Sequence, residues 1–258
     1  MAYDISVKPP EPYQGHCDNH GEYTGTVSYI LGRQLKSYCP KCSEERAAEE
    51  AKRSAESAAI LKQYRISEKL GAAAIPLRFK HKSLSDYIAE TDRQKHALSV
   101  CREYAENFSE HYRSGRCVML MGLPGTGKTH LACGVANHLI REAGRTAVYR
   151  TVGGMLIEIK SSYDRSYDHS ERQVMEGLTT PDLLVLDEIG ATKPTEFELA
   201  TLFSVINSRY EQQLPTMIAS NLPPRELAGA IGDRCVDRLR EGGGIVVGFD
   251  WDSKRGTL

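Results

Sequence analysis

The sequence predicts an α/β protein whose main body is a parallel sheet with helices on both faces. Three observations carry this. From Cys117 onward, five short apolar runs alternate with longer stretches of helical pattern. A glycine-rich turn joins the first of those runs to the helix after it. The residues ahead of this region change composition twice, as expected of smaller attachments and not of further sheet. Strand–helix alternation of this kind buries a parallel sheet between two helical layers and implies right-handed crossovers.

The bulk properties narrow the class. At 258 residues the chain has room for one or two domains. With 40% apolar and 26% charged residues it is an ordinary globular composition, which excludes wholesale disorder or a fibre. The longest apolar runs, such as Val118–Met121 and Leu183–Leu186, fall far short of the ~20 residues of a membrane helix. The first twenty residues hold no apolar signal core, so a cytoplasmic location is expected. The net charge of −1 supplies no bulk attraction to nucleic acid, so any such contact needs a local patch. Seven cysteines, an odd number in a chain without an export signal, favour metal binding over a disulfide framework.

Residues 1–42 are rich in Gly, Tyr, Pro, Cys and His and poor in aliphatic runs, too little for a core without a staple. Residues 43–70 are dense in Ala, Glu, Lys and Arg with no Gly or Pro, which predicts a solvated helix. Its apolar content is thin and gathers at Ile60, Leu61 and Tyr64. Such a helix suits a spacer or a partner-docking element equally. Gly71 to Pro76 ends it. Residues 75–87 read as a linker with a small basic cluster at Arg78, Lys80, His81 and Lys82, and a helix is expected from about Asp92 to His111. The strands expected next are Cys117–Met121, Ala147–Arg150, Leu183–Leu186, Thr216–Ala219 and Gly244–Phe249. Between them fall helices at about 128–142, 152–163, 170–178, 195–211, and 224–240 with a break at Gly232.

The first strand runs into Gly122-Leu123-Pro124-Gly125-Thr126-Gly127-Lys128-Thr129, the pattern of a phosphate-binding loop. Its glycines let backbone N–H groups close around phosphate oxygens at a helix N-terminus. Lys128 is expected to reach the β- and γ-phosphates, and the Thr129 hydroxyl to ligate Mg²⁺. The run Leu183–Leu186 ends in Asp187 and Glu188. Asp187 is expected to hold Mg²⁺ and Glu188 to polarise the attacking water, which favours hydrolysis of a nucleoside triphosphate over a small-molecule kinase. Asn221, at the end of the next strand, is expected to sense the γ-phosphate, although alone it reads as a turn residue or cap. Arg234 and Arg238 share a helix face four residues apart and could supply an arginine finger to a neighbouring subunit, or pair with Asp233, Asp237 or Glu241.

In the first 42 residues, Cys17-x-x-His20 and Cys39-x-x-Cys42 have paired-knuckle spacing, expected to hold a structural Zn²⁺, with His16 an alternative ligand. Cys101, Cys117, Cys133 and Cys235 sit in apolar contexts and read as buried small hydrophobes.

These motifs in this order resemble the bacterial and phage replicative-helicase loaders, the DnaC type of AAA+ ATPase. The matching pieces are IPLRF from Ile75, GLPGTGKTH at 122–130, LLVLDEIG at 183–190, IASN at 218–221, GDRCVDRLR at 232–240 and FDWDSKR at 249–255, about two thirds of the chain. His130 and the FDWDS ending are its most specific details. The resemblance implies an AAA+ sheet of order 5-1-4-3-2 and ATP-controlled delivery of a DnaB-type hexameric helicase onto single-stranded DNA. It implies head-to-tail self-association in a ring or spiral, with Arg238 as the finger, Arg234 flanking it and Arg255 as a sensor in cis. It also implies a single-stranded DNA contact around Gly153–Tyr167 through Lys160, Tyr163, Arg165 and Tyr167. The expected organisation is a zinc module at 1–42, a helical partner-binding or linker segment at 43–74 and the AAA+ domain at 75–258. The Cys/His cluster departs from the best-known loaders. An alternative from the same fold is an IstB-type transposition helper acting on duplex DNA. A second is a zinc-bearing adaptor in which nucleotide is only a structural ligand.

Overall fold

The computed structural model describes Pro9 and residues 11–30, 33–164 and 168–253. The chain divides into two compact units, Met1–Tyr64 and Arg65–Leu258. Among the described residues it forms two sheets, one of three strands and one of five.

The first unit holds strands β1 (Glu11–Cys17), β2 (Gly21–Ile30) and β3 (Arg33–Lys36), antiparallel in that spatial order. Its lack of aliphatic runs has a physical explanation. Tyr13 of β1 faces Gly25 of β2, and Gly15 faces Tyr23. A Cβ on Gly15 would lie 2.7 Å from the Tyr23 ring, and one on Gly25 2.5 Å from the Tyr13 ring. The tyrosines thus occupy the space that side chains would otherwise fill. Their rings meet edge-on at 6.1 Å, their hydroxyls bond at 2.8 Å, and Tyr13 also donates to the Ser37 carbonyl at 2.6 Å. Val27 and Cys39 are the only buried hydrophobic side chains among the described residues here. Helix α1 (Pro40–Ala72) follows and carries no buried residue. It starts earlier than the composition change suggests, so Cys42 lies in its first turn.

In the second unit, the end of α1 contributes Ile66 and Leu70 to the main core. Residues 76–87 follow as a strap of turns closed by a 3-10 turn at Leu84–Asp86. The helix expected over 92–111 divides at Asn107 into α2 (Asp92–Glu106) and α3 (Phe108–Ser114). The remaining elements alternate: β4 (Val118–Gly122), α4 (Lys128–Arg141), β5 (Ala147–Thr151), α5 (Val152–Ser161), α6 (Glu171–Thr179), β6 (Leu183–Ile189), α7 (Glu196–Glu211), β7 (Thr216–Ser220), α8 (Leu227–Ile231), α9 (Asp233–Arg240) and β8 (Ile245–Phe249). Helices α2, α6 and α7 each begin with a reciprocal capping box, at Thr91/Gln94, Ser170/Gln173 and Thr195/Glu198, which fixes where each starts.

The sheet is parallel, in the order β5-β6-β7-β4-β8. Counting its strands along the chain, that is 5-1-4-3-2, the AAA+ order. Successive side chains of β4 to β7 enter different cores. Val118 and Leu120 pack with α2 and α4, while Met119 and Met121 pack with the helices of the other face. The C-terminal strand ends therefore converge on one edge, where the phosphate loop emerges.

The opposite edge is tied by Arg209 of α7, which is fully buried. Its guanidinium donates to the carbonyls of Leu178, Pro181 and Pro215 at 3.0, 2.9 and 2.6 Å and to the Thr216 hydroxyl at 3.1 Å. Burial pulls its pKa down to about 10, yet it stays charged at neutral pH and joins the approaches to β6 and β7. Arg209→Met keeps most of the volume but leaves these buried acceptors without donors. It is expected to cost about 3–5 kcal/mol, read as a lowered urea midpoint by circular dichroism. A midpoint within error of the parent chain would show the carbonyls are satisfied by other means.

Candidate functional site

The phosphate loop is shaped by what its glycines leave out. Gly122 ends β4 with φ +135°, and a Cβ there would lie 2.2 Å from the Phe249 carbonyl oxygen. That carbonyl instead accepts the Leu123 N–H at 2.8 Å, stitching the loop to β8 as it leaves the sheet. Thr126 is buried, and its hydroxyl closes the loop on the Leu123 carbonyl at 2.7 Å. Pro124, Gly125, Gly127, Lys128, Thr129 and His130 line a cavity of about 350 Å³. Asp187, Glu188, Ser220 and Asn221 complete it from the ends of β6 and β7. Gly122, Leu123 and Thr126 of the loop do not line the cavity.

The polar groups converge. Lys128 is buried, and its ammonium donates to the carbonyls of Gly122 and Leu123 at 2.8 and 2.6 Å. The Thr129 hydroxyl donates to Asp187 Oδ2 at 2.7 Å. The Tyr149 hydroxyl of β5 donates to that same oxygen at 2.8 Å, and the Glu188 N–H to Asp187 Oδ1 at 2.7 Å. Burial and the adjoining Asp187 hold the Tyr149 hydroxyl well above its ordinary pKa, so it remains a donor. A hydroxyl and a carboxylate oxygen side by side are the hard donors that Mg²⁺ takes. Glu188 is exposed and has φ +61°, at the irregularity of the β6–β7 ladder between Leu186 and Ile189. This bulge turns Glu188 out of the strand while Asp187 stays buried.

The strap read as a linker is part of this site. Arg78 and Phe79 line the cavity. The Tyr87 hydroxyl donates to the Thr126 carbonyl at 3.1 Å, and Trp251 Nε1 donates to the same carbonyl at 3.0 Å. His130 lies 5.6 Å from the Tyr87 ring and 6.4 Å from Phe79, with Nε2 3.3 Å from the Ser83 carbonyl. Burial holds its imidazole below the usual pKa. A second cavity of about 440 Å³ adjoins the first, with Phe79, Tyr87, Ile88, Gly127 and His130 in its wall. The signals for these residues were aromatic side chains inside a Pro-bounded segment and the single tryptophan of the chain in a charged tail.

The other candidates lie elsewhere. Arg234 and Arg238 are on α9, outside the cavity of their own chain. Their guanidiniums sit over the Phe203 ring, at 4.1 and 4.9 Å. Arg238 also donates to Asn207 Oδ1 at 2.6 Å, so an aromatic ring and an amide hold it in place of an acid. Lys160 sits over Phe197 at 5.1 Å, and the exposed Tyr163 reaches Glu171 at 3.5 Å. Arg165, Tyr167 and Arg255 lie outside the described residues.

In the first unit, Cys17 ends β1, His20 is in the turn before β2, Cys39 precedes α1 and Cys42 opens it. Their ligand atoms all lie within 4.8 Å of one another. Cys17 Sγ is 3.4 Å from Cys42 Sγ and 3.8 Å from His20 Nδ1, and Cys39 and Cys42 Sγ are 3.7 and 3.2 Å from that nitrogen. A tetrahedral Zn²⁺ with Zn–S of ~2.3 Å and Zn–N of ~2.0–2.1 Å spaces its ligands about 3.6–3.8 Å apart, so donor set and spacing fit. His20 Nε2 meets Glu45 Oε1 at 3.0 Å, the partner that leaves Nδ1 facing inward. The Cys17 thiol is lowered to about 6, first by the Asn19 backbone, while Cys42 is pushed up to about 11, first by Cys17. Thiols this close do not all ionise unless a cation joins them. His16, exposed on β1, is not in the cluster.

A sequence model of the family described as IstB-like ATP binding protein matches residues 53–239. The replicative helicase loader DnaC of Escherichia coli strain K12 is 33% identical over 176 residues, covering 68% of this chain and 70% of that protein. The chain belongs to the family of IstB-like and DnaC-type ATP-binding proteins. The DnaC of Buchnera aphidicola subsp. Baizongia pistaciae is 29% identical over 240 residues, 92% of this chain and 96% of that one. A crystal structure of the DnaC helicase loader superposes with a TM-score of 0.61 at 21% identity, covering 67% of this chain and 99% of that one, a likeness of fold. No described helix of this family member is long and apolar enough to cross a membrane.

Because the Phe249 carbonyl occupies the space beside Gly122, Gly122→Ala must push the loop off β8. It is expected to red-shift the emission of Trp251, whose indole bonds that loop, and to weaken ATP binding at least tenfold by titration. Unchanged emission and affinity would mean that the strand spacing relaxes without moving the loop.

Proposed function

We propose that this protein is an ATP-dependent loader that binds a DnaB-type hexameric helicase and delivers it onto single-stranded DNA. The alignment with DnaC loaders carries the reading, and the bonded Thr129–Asp187 pair beside Glu188 supports its catalytic half.

In this reading ATP lies in the phosphate-loop cavity, with its base toward Phe79, Tyr87 and His130. Thr129 and Asp187 would hold Mg²⁺, which would supply neutralisation of phosphate charge there. Lys128 exchanges its loop carbonyls for phosphate oxygens. Glu188 polarises the attacking water, and Asn221 senses the γ-phosphate from the end of β7. Arg238, flanked by Arg234, reaches the nucleotide of the next subunit, and Arg255 contacts nucleotide in cis. A finger supplied in trans requires head-to-tail subunits, a heterologous contact that forms a ring or open spiral. Cys17, His20, Cys39 and Cys42 would hold a Zn²⁺ that staples residues 1–42, whose described residues bury only a minimal core. The largely helical segment 43–74 docks the helicase through Ile60, Leu61 and Tyr64, which are 71%, 50% and 60% exposed. Lys160 and Tyr163, with Arg165 and Tyr167, contact single-stranded DNA by charge and stacking. Residues 75–258 act as the ATPase domain.

The family description favours one second reading, an IstB-type helper in transposition.

Glu188→Gln is expected to retain ATP binding and to lower ATP turnover by at least a hundredfold in a phosphate-release assay. Turnover at the parent rate would remove Glu188 from the chemistry. The full chain is expected to hold one zinc by atomic emission, reduced at least fivefold in Cys42→Ser. Full zinc in that variant would overturn the ligand set. Light scattering after size exclusion, with ATP and Mg²⁺, is expected to show a stable complex with a DnaB-type helicase that Ile60→Glu/Tyr64→Glu abolishes. No complex with any such helicase would move the reading to a transposase partner.

A further inference from the structure

The basic strap has a face that the nucleotide does not use. On that face Lys82 meets His138 and Arg141 of α4 across a groove of about 340 Å³. The strap is fixed there by Asn137, buried beneath it, whose amide donates to the carbonyls of Phe79 and Lys82 at 2.9 and 2.7 Å. It packs so closely that a Cβ on Gly134 would lie 3.0 Å from Leu84.

Much of this charge lacks an ion-pair partner. Among the described residues no carboxylate lies within ion-pair distance of Arg78, Lys80, Lys82 or Arg141, while Arg93, Arg145, Arg150 and Arg172 each have one. Two acids are close by. Asp86 is turned into the strap, accepting from the Ser83 N–H and hydroxyl at 2.6 and 2.8 Å, and its charge attracts Lys82 only from beyond ion-pair distance. Glu142 is exposed at the far end of the groove. In a chain of net charge −1 this concentration is local and calls for an anion. The flanks narrow the choice of anion. Leu77 and Ile88, at either end of the strap, are 85% and 74% exposed, Ile88 in the wall of the cavity on the nucleotide side and not in the groove. Exposed apolar side chains beside cations suit an unpaired strand, which presents base faces next to its phosphates.

We propose that this groove binds the phosphodiester backbone of a single nucleic-acid strand, with Lys82 and Arg141 as its principal phosphate contacts. It is a second strand site, separate from Lys160 and Tyr163, and it rests on the single-stranded DNA reading above. Lys82 also borders the cavity that Phe79 and His130 wall, so strand and nucleotide would meet opposite faces of one turn.

The test is fluorescence anisotropy of a labelled oligothymidine with full-length protein and ATP over a series of salt concentrations. Lys82→Gln/Arg141→Gln is compared with the parent chain and with Lys160→Gln/Tyr163→Ser, all checked for native circular dichroism. Loss of two phosphate contacts is expected to weaken binding at least tenfold at low salt and to reduce the log–log salt slope by about 1.4. Parent-like affinity and slope in the groove variant, with loss only in the other, would overturn the groove and leave strand binding to the second location. Failure of the parent chain to bind the strand at all would overturn both. Sodium tripolyphosphate that competes as well as an unlabelled strand of equal charge would make this a small-anion site and overturn the strand assignment. Equal affinity for duplex would do the same.

Discussion

One backbone carbonyl, that of Thr126, organises the nucleotide edge of the fold. It accepts from Tyr87 on the strap and from Trp251 beyond β8, two residues 164 apart in sequence that meet at the tip of the phosphate loop. A glycine-rich loop must be permissive to wrap a polyanion, and permissive backbone loses more entropy on ordering than any other. These two donors, with the Leu123–Phe249 bond at the loop's base, hold it in shape before any ligand arrives. Preorganisation of this kind lets contacts to phosphate go into binding and not into folding the loop.

The same contacts explain which parts could be read in advance. The strands β4 to β7 are buried on both faces, so they appear as nearly pure apolar runs such as Leu183–Leu186, and the alternation with helices follows directly, whereas the edge strand β8 exposes Val246. The phosphate loop and the Asp187–Glu188 pair were legible because their chemistry demands particular residue types at fixed spacing. The strap was not. Its role depends on Phe79, Tyr87 and Ser83 meeting a loop about forty residues away, and nothing periodic announces that. The same holds for Tyr149, which looks like one more β-strand aromatic until its hydroxyl is seen on Asp187. Arg209 was hidden for the opposite reason: a charged residue in a helical pattern is assigned to the surface, and only the carbonyls around it reveal a buried clamp.

The first unit taught a different lesson. The Cys and His spacing was readable as a ligand set, but the three-stranded sheet that carries it was not. Strand patterns are sought in alternating aliphatic residues. Here the alternation is of tyrosine and glycine, each ring filling its cross-strand neighbour's missing side chain. The aromatic pair does the packing that a larger core would do elsewhere, and a cluster of ligands at the end of β1 and the start of α1 closes the remaining side.

Glu188 stores backbone strain at the rim of the nucleotide cavity. A glycine would adopt its left-handed backbone without strain, whereas a side chain there costs roughly 1–2 kcal/mol. Stability and the presence of a carboxylate therefore pull in opposite directions at this one position: a substitution that relaxes the backbone by introducing glycine also removes the acid from the cavity wall.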